Sequence, residues 1–455
     1  MRPLLPPPNE TELERATRIQ EENVAAAKSR EIDLQIKTDK LEAQKKGGPV
    51  RILLLGQRGS GQSTILKSLQ FRFAPNAFKE DSFAWRTVIH LNLVSTVNFV
   101  LDLLPPTSRA QPRDGGGRSS RSRVDLDSRS TDEIKRLRTR LHPLREVETI
   151  LSKRLTTGKF PSRGPLSTTL GSDQPSFKSV DIVRSGSRWK ALSKLYGPGG
   201  QDQMNEMRQI IAACCPDIVS LWENETVRSV ISDREEFQEH TTTFSLNNAL
   251  RICQMGYEPI VDDILRTHLT TLGVEEHHLT LEGGQTEQRN QEWIIYDVGG
   301  SRTQRAAWVP YFDNVTIVIF VVPLSAFNQV LDEDTSMNRL LDSFQLWKTT
   351  CSSKILAGVT FILVLNKWDL LAKKIEAGIQ FKDFVTSYKD KPNDARSVSQ
   401  YVRRKFVEFH KKLSPVNRPL FSHVMCATDS QDISFILIYI REILLKAHLG
   451  ETKLM

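Results

Sequence analysis

The chain has 455 residues, of which 39% are apolar and 25% charged, and it carries a net charge of +8. No apolar run approaches the ~18–20 residues of a membrane-spanning helix, and "MRPLLPPPNETELERATRI" contains neither a signal-peptide core nor a small-residue cleavage site. The five cysteines, Cys214, Cys215, Cys253, Cys351 and Cys426, show neither metal spacing nor a disulfide framework, which suits a reducing compartment.

In chain order, residues 9–46 predict one long polar helix without Pro or Gly. Its apolar stripe is thin, with Ile32 and Ile36 one turn apart, and Gly47–Gly48 end it. The run "RILLL" (51–55) then predicts a buried strand. Helix patterns follow at 85–104, 144–155, 217–233 and 243–253. Two stretches among them, about 105–135 and 156–188, are Arg/Ser/Gly-rich or Ser/Pro/Gly-rich. With few large apolar residues they cannot offset their ordering entropy, and they read as disordered insertions. Residues 105–145 hold eleven Lys/Arg against five Asp/Glu. The arginines of the first stretch have no interleaved aromatic to stack on bases, so a solvated loop is favoured over a nucleic-acid tail. Further strands are predicted at 292–298, 314–322 and 359–369, separated by helical patterns. The whole reads as an α/β doubly wound sheet with a helical domain inserted after the first βα unit.

"GQRGSGQST" (56–64) sits between the first strand and a helix, where a phosphate-binding loop belongs. Gly56, Gly61 and Ser63 fit the P-loop pattern, but Gln62 stands where the lysine is expected. Backbone N–H groups of such a loop converge on phosphate oxygens at a helix N-terminus, and Ser63 is the expected Mg²⁺ ligand. "DVGG" (297–300) ends a strand. Asp297 can hold Mg²⁺ through water, and Gly300 can offer its N–H to a γ-phosphate. "NKWD" (366–369) ends another strand; Asp369 can accept from guanine N1 and N2 while the Lys367 stem covers the ring. "CAT" (426–428) adds an N–H, that of Ala427, for guanine O6.

With these motifs in this order, the chain resembles a heterotrimeric G-protein alpha subunit from about residue 29 to the C-terminus, apart from the insertions. "DILRTHLTTLGV" (263–274) is similar to the family's first switch and "DVGGSRTQRAAWVPYF" (297–312) to its second. The resemblance implies a Ras-like GTPase domain at 49–75 and 259–455, an inserted all-helical domain at 76–258, and an N-terminal helix within 1–48 that binds a βγ dimer. It also implies GTP/GDP and Mg²⁺ as cofactors. By position, Gly56, Arg58, Gly59, Ser60, Gly61, Gln62, Ser63 and Thr64 would cradle phosphates. Leu265, Arg266, Thr267, His268 and Thr271 would line the ribose and γ-phosphate, with Thr271 beside Ser63 as metal ligand. Asp297, Gly299 and Gly300 would face the γ-phosphate, and Asn366, Lys367, Asp369 and Ala427 would read guanine.

Three departures fall on the chemistry. Gln62 replaces the P-loop lysine, His268 the arginine of the first switch, and Ser301 the water-orienting glutamine of the second. The catalytic positions, His268 and Ser301, are therefore degenerate. Two readings stay open: a receptor-coupled GTP/GDP switch with slow hydrolysis, or a pseudo-GTPase that binds βγ or a receptor without turnover. The implied partners are a βγ dimer, a seven-transmembrane receptor and an effector, not nucleic acid. Residue 2 is Arg and no cysteine precedes Cys214, so the expected placement is cytoplasmic, with membrane contact made indirectly through partners at the inner face of the plasma membrane.

Overall fold

The computed structural model describes residues 28, 49–104, 128–156, 198–232, 237, 240–267, 271, 273–280 and 292–451. Apart from Lys28, which is helical, the long helix expected at 9–46 lies outside them.

A six-stranded sheet forms the centre. Its strands are β1 (Val50–Gly56), β2 (Val274–Thr280), β3 (Glu292–Val298), β4 (Ile317–Pro323), β7 (Thr360–Asn366) and β8 (Leu420–Val424), in spatial order β2-β3-β1-β4-β7-β8. A separate two-residue strand β5 (Val330–Leu331) pairs with β6 (Asp334–Asn338). β1 pairs in parallel with β3 and β4, and the parallel order continues through β7 to β8. The four predicted strands are present. The run expected from residue 314 begins as β4 only at Ile317, because Asn314 turns the chain with a positive φ of 63°. The run 359–369 ends as a strand at Asn366, because Lys367 has φ 61° and Trp368 opens a helix. The sheet is not wholly parallel: β2 runs antiparallel to β3 along one edge.

Alternate residues of the central strands feed two cores, as a pleated sheet covered on both faces requires. Leu53, Leu55, Phe320 and Leu363 face one, with Trp347 and Phe406 above them. Ile52, Leu54, Ile319 and Val364 face the other, beneath Leu69 and Ile436. The covering helices are α1 (Gln62–Phe73) and α12 (Ser430–Glu451) on the second face, with α9 (Arg339–Ser352) and α11 (Ala395–Leu413) on the first.

A third core belongs to the helices between β1 and β2. These are α2 (Ser82–Leu103), α3 (Ser128–Leu141), α4 (Pro143–Thr156), α5 (Pro198–Glu223), α6 (Glu225–Ser232) and α7 (His240–Asn247). The helix expected over 217–233 is two helices, because the Asn224 side chain accepts from the Val227 N–H (3.2 Å) and caps α6. The segment expected over 243–253 also divides, at Asn248.

Residues 128–135, placed in the first disordered insertion, begin α3. Ile134, Leu137 and Leu141 repeat at helical spacing and are buried in the third core. The arginines around them had masked this stripe. Thr156, at the edge of the second insertion, closes α4, and the rest of both insertions lies outside the described residues.

The α3 stripe sets a test. Ile134→Ala should lower the unfolding free energy by about 2–4 kcal/mol, as deletion of buried aliphatic groups does. A urea midpoint unchanged from the parent chain would return this segment to the surface.

Candidate functional site

The site forms at the carboxyl ends of β1, β3 and β7, where a doubly wound sheet presents its loops. β1 ends at Gly56. A Cβ there would meet the Val321 carbonyl oxygen at 2.5 Å, so the strand can pass β4 only as glycine. The loop turns through Ser60 N–H to the Gln57 carbonyl (3.1 Å) and through Gly59 and Gly61, with φ 70° and 102°. Helix α1 begins at Gln62, so its N-terminal N–H groups open into this loop. Ser60 is fully buried, and its hydroxyl has no hydrogen-bond partner within the chain.

Three oxygens from three separate segments meet beside the loop. Ser63 Oγ donates to Asp297 Oδ2 (2.8 Å) and lies 2.9 Å from Thr271 Oγ1. Thr271 Oγ1 donates to the same carboxylate oxygen (3.1 Å). Ser63 and Thr271 are 208 residues apart in sequence. Two hydroxyls and a carboxylate are hard donors of the kind Mg²⁺ takes. Together with the glycine cradle, they fit a magnesium–phosphate group.

On the β7 side, Asn366 is buried. Its Nδ2 donates to the Ser60 carbonyl (2.8 Å), and its Oδ1 accepts from the Ala427 N–H (2.9 Å). It thereby ties the P-loop to the "CAT" loop. The Ala427 N–H expected to meet guanine O6 is thus engaged with Asn366 here. Lys367 and Asp369 follow at the start of α10 (Trp368–Glu376). Burial pushes the Cys426 thiol up, partly offset by its contact with Thr428, and the nearby Asp369 charge adds to the rise.

Other expected contacts are arranged differently. The Gln62 side chain turns back to donate to the Leu54 carbonyl (3.2 Å) rather than opening into the loop. Arg58 lies 3.8 Å from Asp332, and its carbonyl accepts from Arg339 (2.7 Å). In α8 (Val261–Arg266), Leu265 is buried and Arg266 pairs with Asp262 (2.8 Å). The Thr267 hydroxyl donates to the Asp263 carbonyl (2.6 Å), and its own carbonyl accepts from buried Lys67 (2.7 Å). His268 lies outside the described residues. Gly300 stacks directly on the backbone of Gln57 and Arg58, leaving no room for a Cβ. Gly299 donates to the Gly273 carbonyl (2.7 Å) and accepts from Trp308 Nε1 (3.1 Å). The Ser301 hydroxyl reaches only as far as Thr303 Oγ1 (3.3 Å).

The motifs did not disclose a clamp that unites these parts. Buried Asp342, on α9, takes the Arg305 guanidinium through both oxygens, is 3.3 Å from Arg302, and accepts from the Gln57 side chain. Burial alone would raise this carboxyl. The hydrogen bonds of Arg305 and Gln57 and the two arginine charges outweigh it, holding the group below the usual carboxylate range. The only sequence signal was an acidic residue at an otherwise apolar turn of α9.

A P-loop at the end of β1, oxygen donors from two switch segments and an Asn-Lys-x-Asp loop define a Ras-like guanine-nucleotide-binding fold. A family model described as "G-protein alpha subunit" matches residues 26–444. The chain belongs to the G-protein alpha-subunit family, whose members are GTPases that bind GTP/GDP and Mg²⁺ and act with βγ dimers, receptors and effectors. It is similar to "Guanine nucleotide-binding protein alpha-4 subunit" of Mycosarcoma maydis, 28% identical with 99% of this chain and 94% of that protein covered. It is also similar to "Guanine nucleotide-binding protein subunit alpha" of Coprinellus congregatus, 26% identical, with 95% and 97% covered. "Guanine nucleotide-binding protein G(o) subunit alpha" of Caenorhabditis elegans is 25% identical, with 95% and 98% covered. Among the described residues, no helix is long and apolar enough to cross a membrane.

The clamp predicts a pH signature. A depressed carboxyl contributes stability that is complete above the unfolded-state value, about 3.9, and fades as pH falls through the folded one. At pH 7, Asp342→Asn should cost about 1–3 kcal/mol in urea unfolding, since a charge-assisted bond becomes neutral. The gap between variant and parent should narrow below about pH 4. A gap that is constant down to pH 3 would assign the loss to packing.

Proposed function

We propose that this alpha subunit binds guanine nucleotide through Gly56–Thr64, with Mg²⁺ held at Ser63 and Thr271 and hydrolysis slow. The observation that carries this reading is the convergence of Ser63, Thr271 and Asp297 beside the glycine cradle. That cluster supplies hard oxygen ligands even though Gln62 brings no charge. When bound, the metal neutralises phosphate charge there.

Asn366, Lys367 and Asp369 form the base-reading loop, and Asp369 accepts from guanine N1 and N2. Rearrangement of the Asn366–Ala427 bond would release the Ala427 N–H for guanine O6. The sheet with its flanking helices is the nucleotide domain (49–75 and 259–455), and the helical core within 76–258 closes over it. The N-terminal segment 1–48 and the second-switch face around Arg302, Arg305 and Trp308 form the βγ surface. Membrane association at the inner face of the plasma membrane follows through these partners.

Slow turnover follows from the missing charges. An arginine acting on the γ-phosphoryl group is worth about 10³–10⁵ in rate. Histidine near neutral pH is mostly uncharged unless a neighbour raises it. Gln62 removes a further cation, and its amide is engaged with Leu54. That engagement favours the second reading, a pseudo-GTPase that engages partners without turnover, should the loop fail to take a triphosphate.

Titration calorimetry with GDP and ADP separates the base readers from a generic phosphate loop. A buried acceptor left unpaired by the wrong base gives strong rejection, so GDP should bind at least about 10²-fold more tightly than ADP. Equal affinities would remove Asp369 from the site, and heat from neither nucleotide would leave the pseudo-GTPase reading.

A further inference from the structure

The second switch carries a glutamine one turn beyond the degenerate Ser301. Gln304 N–H donates to the Ser301 carbonyl (3.0 Å), which closes the first turn of the 3-10 helix Arg302–Tyr311. That turn brings the Gln304 side chain back over Gly299. A Cβ on Gly299 would fall on Gln304 Oε1 and would stand 2.9 Å from the Thr271 carbonyl oxygen. The carboxamide oxygen therefore lies against the same small volume as the Thr271 main chain. It is buried and accepts no hydrogen bond within the chain. An unsatisfied buried acceptor is costly, so this oxygen is open to a hydrogen bond from a bound group.

The position suits one ligand in particular. Ser63, Thr271 and Asp297 would hold the metal side of a γ-phosphate, and Gly300 lies on the P-loop backbone at Gln57–Arg58. A γ-phosphoryl group held there would present its remaining face to Gly299, Thr271 and Gln304, the face that an in-line attacking water would use. A water there needs acceptors for its hydrogens, because its oxygen lone pair must point at phosphorus. Ser301 is a poor acceptor, since its hydroxyl is short and lies beside Thr303.

We propose that Gln304, through its side-chain oxygen, orients the water that attacks the γ-phosphorus. The assignment rests on the GTP-switch reading given above. In the step itself, the water oxygen bonds to phosphorus as the bond from phosphorus to the β–γ bridging oxygen breaks. GDP departs with that electron pair, and the proton of the water ends on inorganic phosphate. Gln304 accepts a hydrogen bond and neither takes nor gives a proton. The glutamine function is thus displaced by three residues, one helical turn, and what the site lacks is positive charge rather than water placement.

The test uses the full chain and three forms of it: the parent, Gln304→Met, which keeps the volume without the acceptor, and Ser301→Gln/Gln304→Met. Single-turnover hydrolysis of GTP is measured with Mg²⁺, and affinity for a fluorescent methylanthraniloyl GTP is measured in parallel. Gln304→Met should lose about tenfold or more in rate, as misplaced reactants do, with nucleotide affinity within about twofold of the parent. Ser301→Gln should restore the rate, and a urea midpoint of Gln304→Met equal to the parent's separates lost water placement from a merely structural loss. An unchanged Gln304→Met rate overturns the assignment. So does a loss of affinity matching the loss of rate, a fall that Ser301→Gln fails to restore, or a parent no faster than free GTP in buffer. Failure of the parent to bind the fluorescent nucleotide would overturn the switch reading itself, and this assignment with it.

Discussion

Everything at this site depends on how closely backbone can approach backbone at the ends of β1 and β7. Gly56 passes under the Val321 carbonyl, Gly61 packs on the Asn366 side chain, and Gly300 lies on the peptide between Gln57 and Arg58. None of these positions has room for a side chain. The close approach lets the loop N–H groups and the helix N-terminus converge on one point, where they favour an anion. A cradle of this kind is made of main chain, so it survives the loss of the lysine at Gln62. The lysine would add a charge to a geometry that the glycines and Asn366 already hold.

The second layer of the arrangement is a set of ties across long stretches of sequence. Lys67 is buried on α1, yet its amine donates to the carbonyls of Ile264 and Thr267 and stands 4.9 Å above the Trp85 ring. One cation therefore joins the P-loop helix, the helical core and the segment leading to the first switch. Asp263, in the same segment, is held by Arg251, by the Tyr257 hydroxyl and by the Ile260 N–H. Asp342 does the corresponding work for the second switch. Positive groups are plentiful around the loop, with Arg339 on the Arg58 carbonyl and Arg302 and Arg305 on Asp342. They are engaged with protein oxygens, so they set the frame rather than replace the charge absent from Gln62.

Legibility in the sequence followed burial. β1, β3, β4 and β7 are covered on both faces, and each contains an apolar run of at least four residues. β2 has the sequence "VEEHHLT", with Glu276 and His278 facing solvent at an edge, and it gave no such signal. β8, "LFSHV", is only partly buried along its length. Helix α3 was hidden because its three core residues are spaced among arginines, and composition outweighed periodicity. Among site residues, fixed spacing placed Ser63, Asp297 and Asn366 on short motifs. Thr271 was placed by resemblance alone. Gln57, Asp342 and Gln304 were not legible, because their roles arise from contacts between distant segments and no local pattern encodes them. The engagement of Gln62 with Leu54, and of the Ala427 N–H with Asn366, likewise has no local sequence pattern.

In the proposed switch, the cradle holds GTP while the missing charges leave the γ-phosphate in place. The most direct measurement is the identity of the nucleotide on the full chain over time. The protein is mixed with GTP and Mg²⁺ and separated from free nucleotide at intervals, and the bound fraction is released and resolved by chromatography. Loss of about 10³ in rate relative to an arginine-bearing site extends the bound lifetime of GTP to the scale of hours. The bound nucleotide should therefore remain mostly GTP after an hour. Complete conversion to bound GDP within the first minute, or no bound nucleotide at any time, would contradict it.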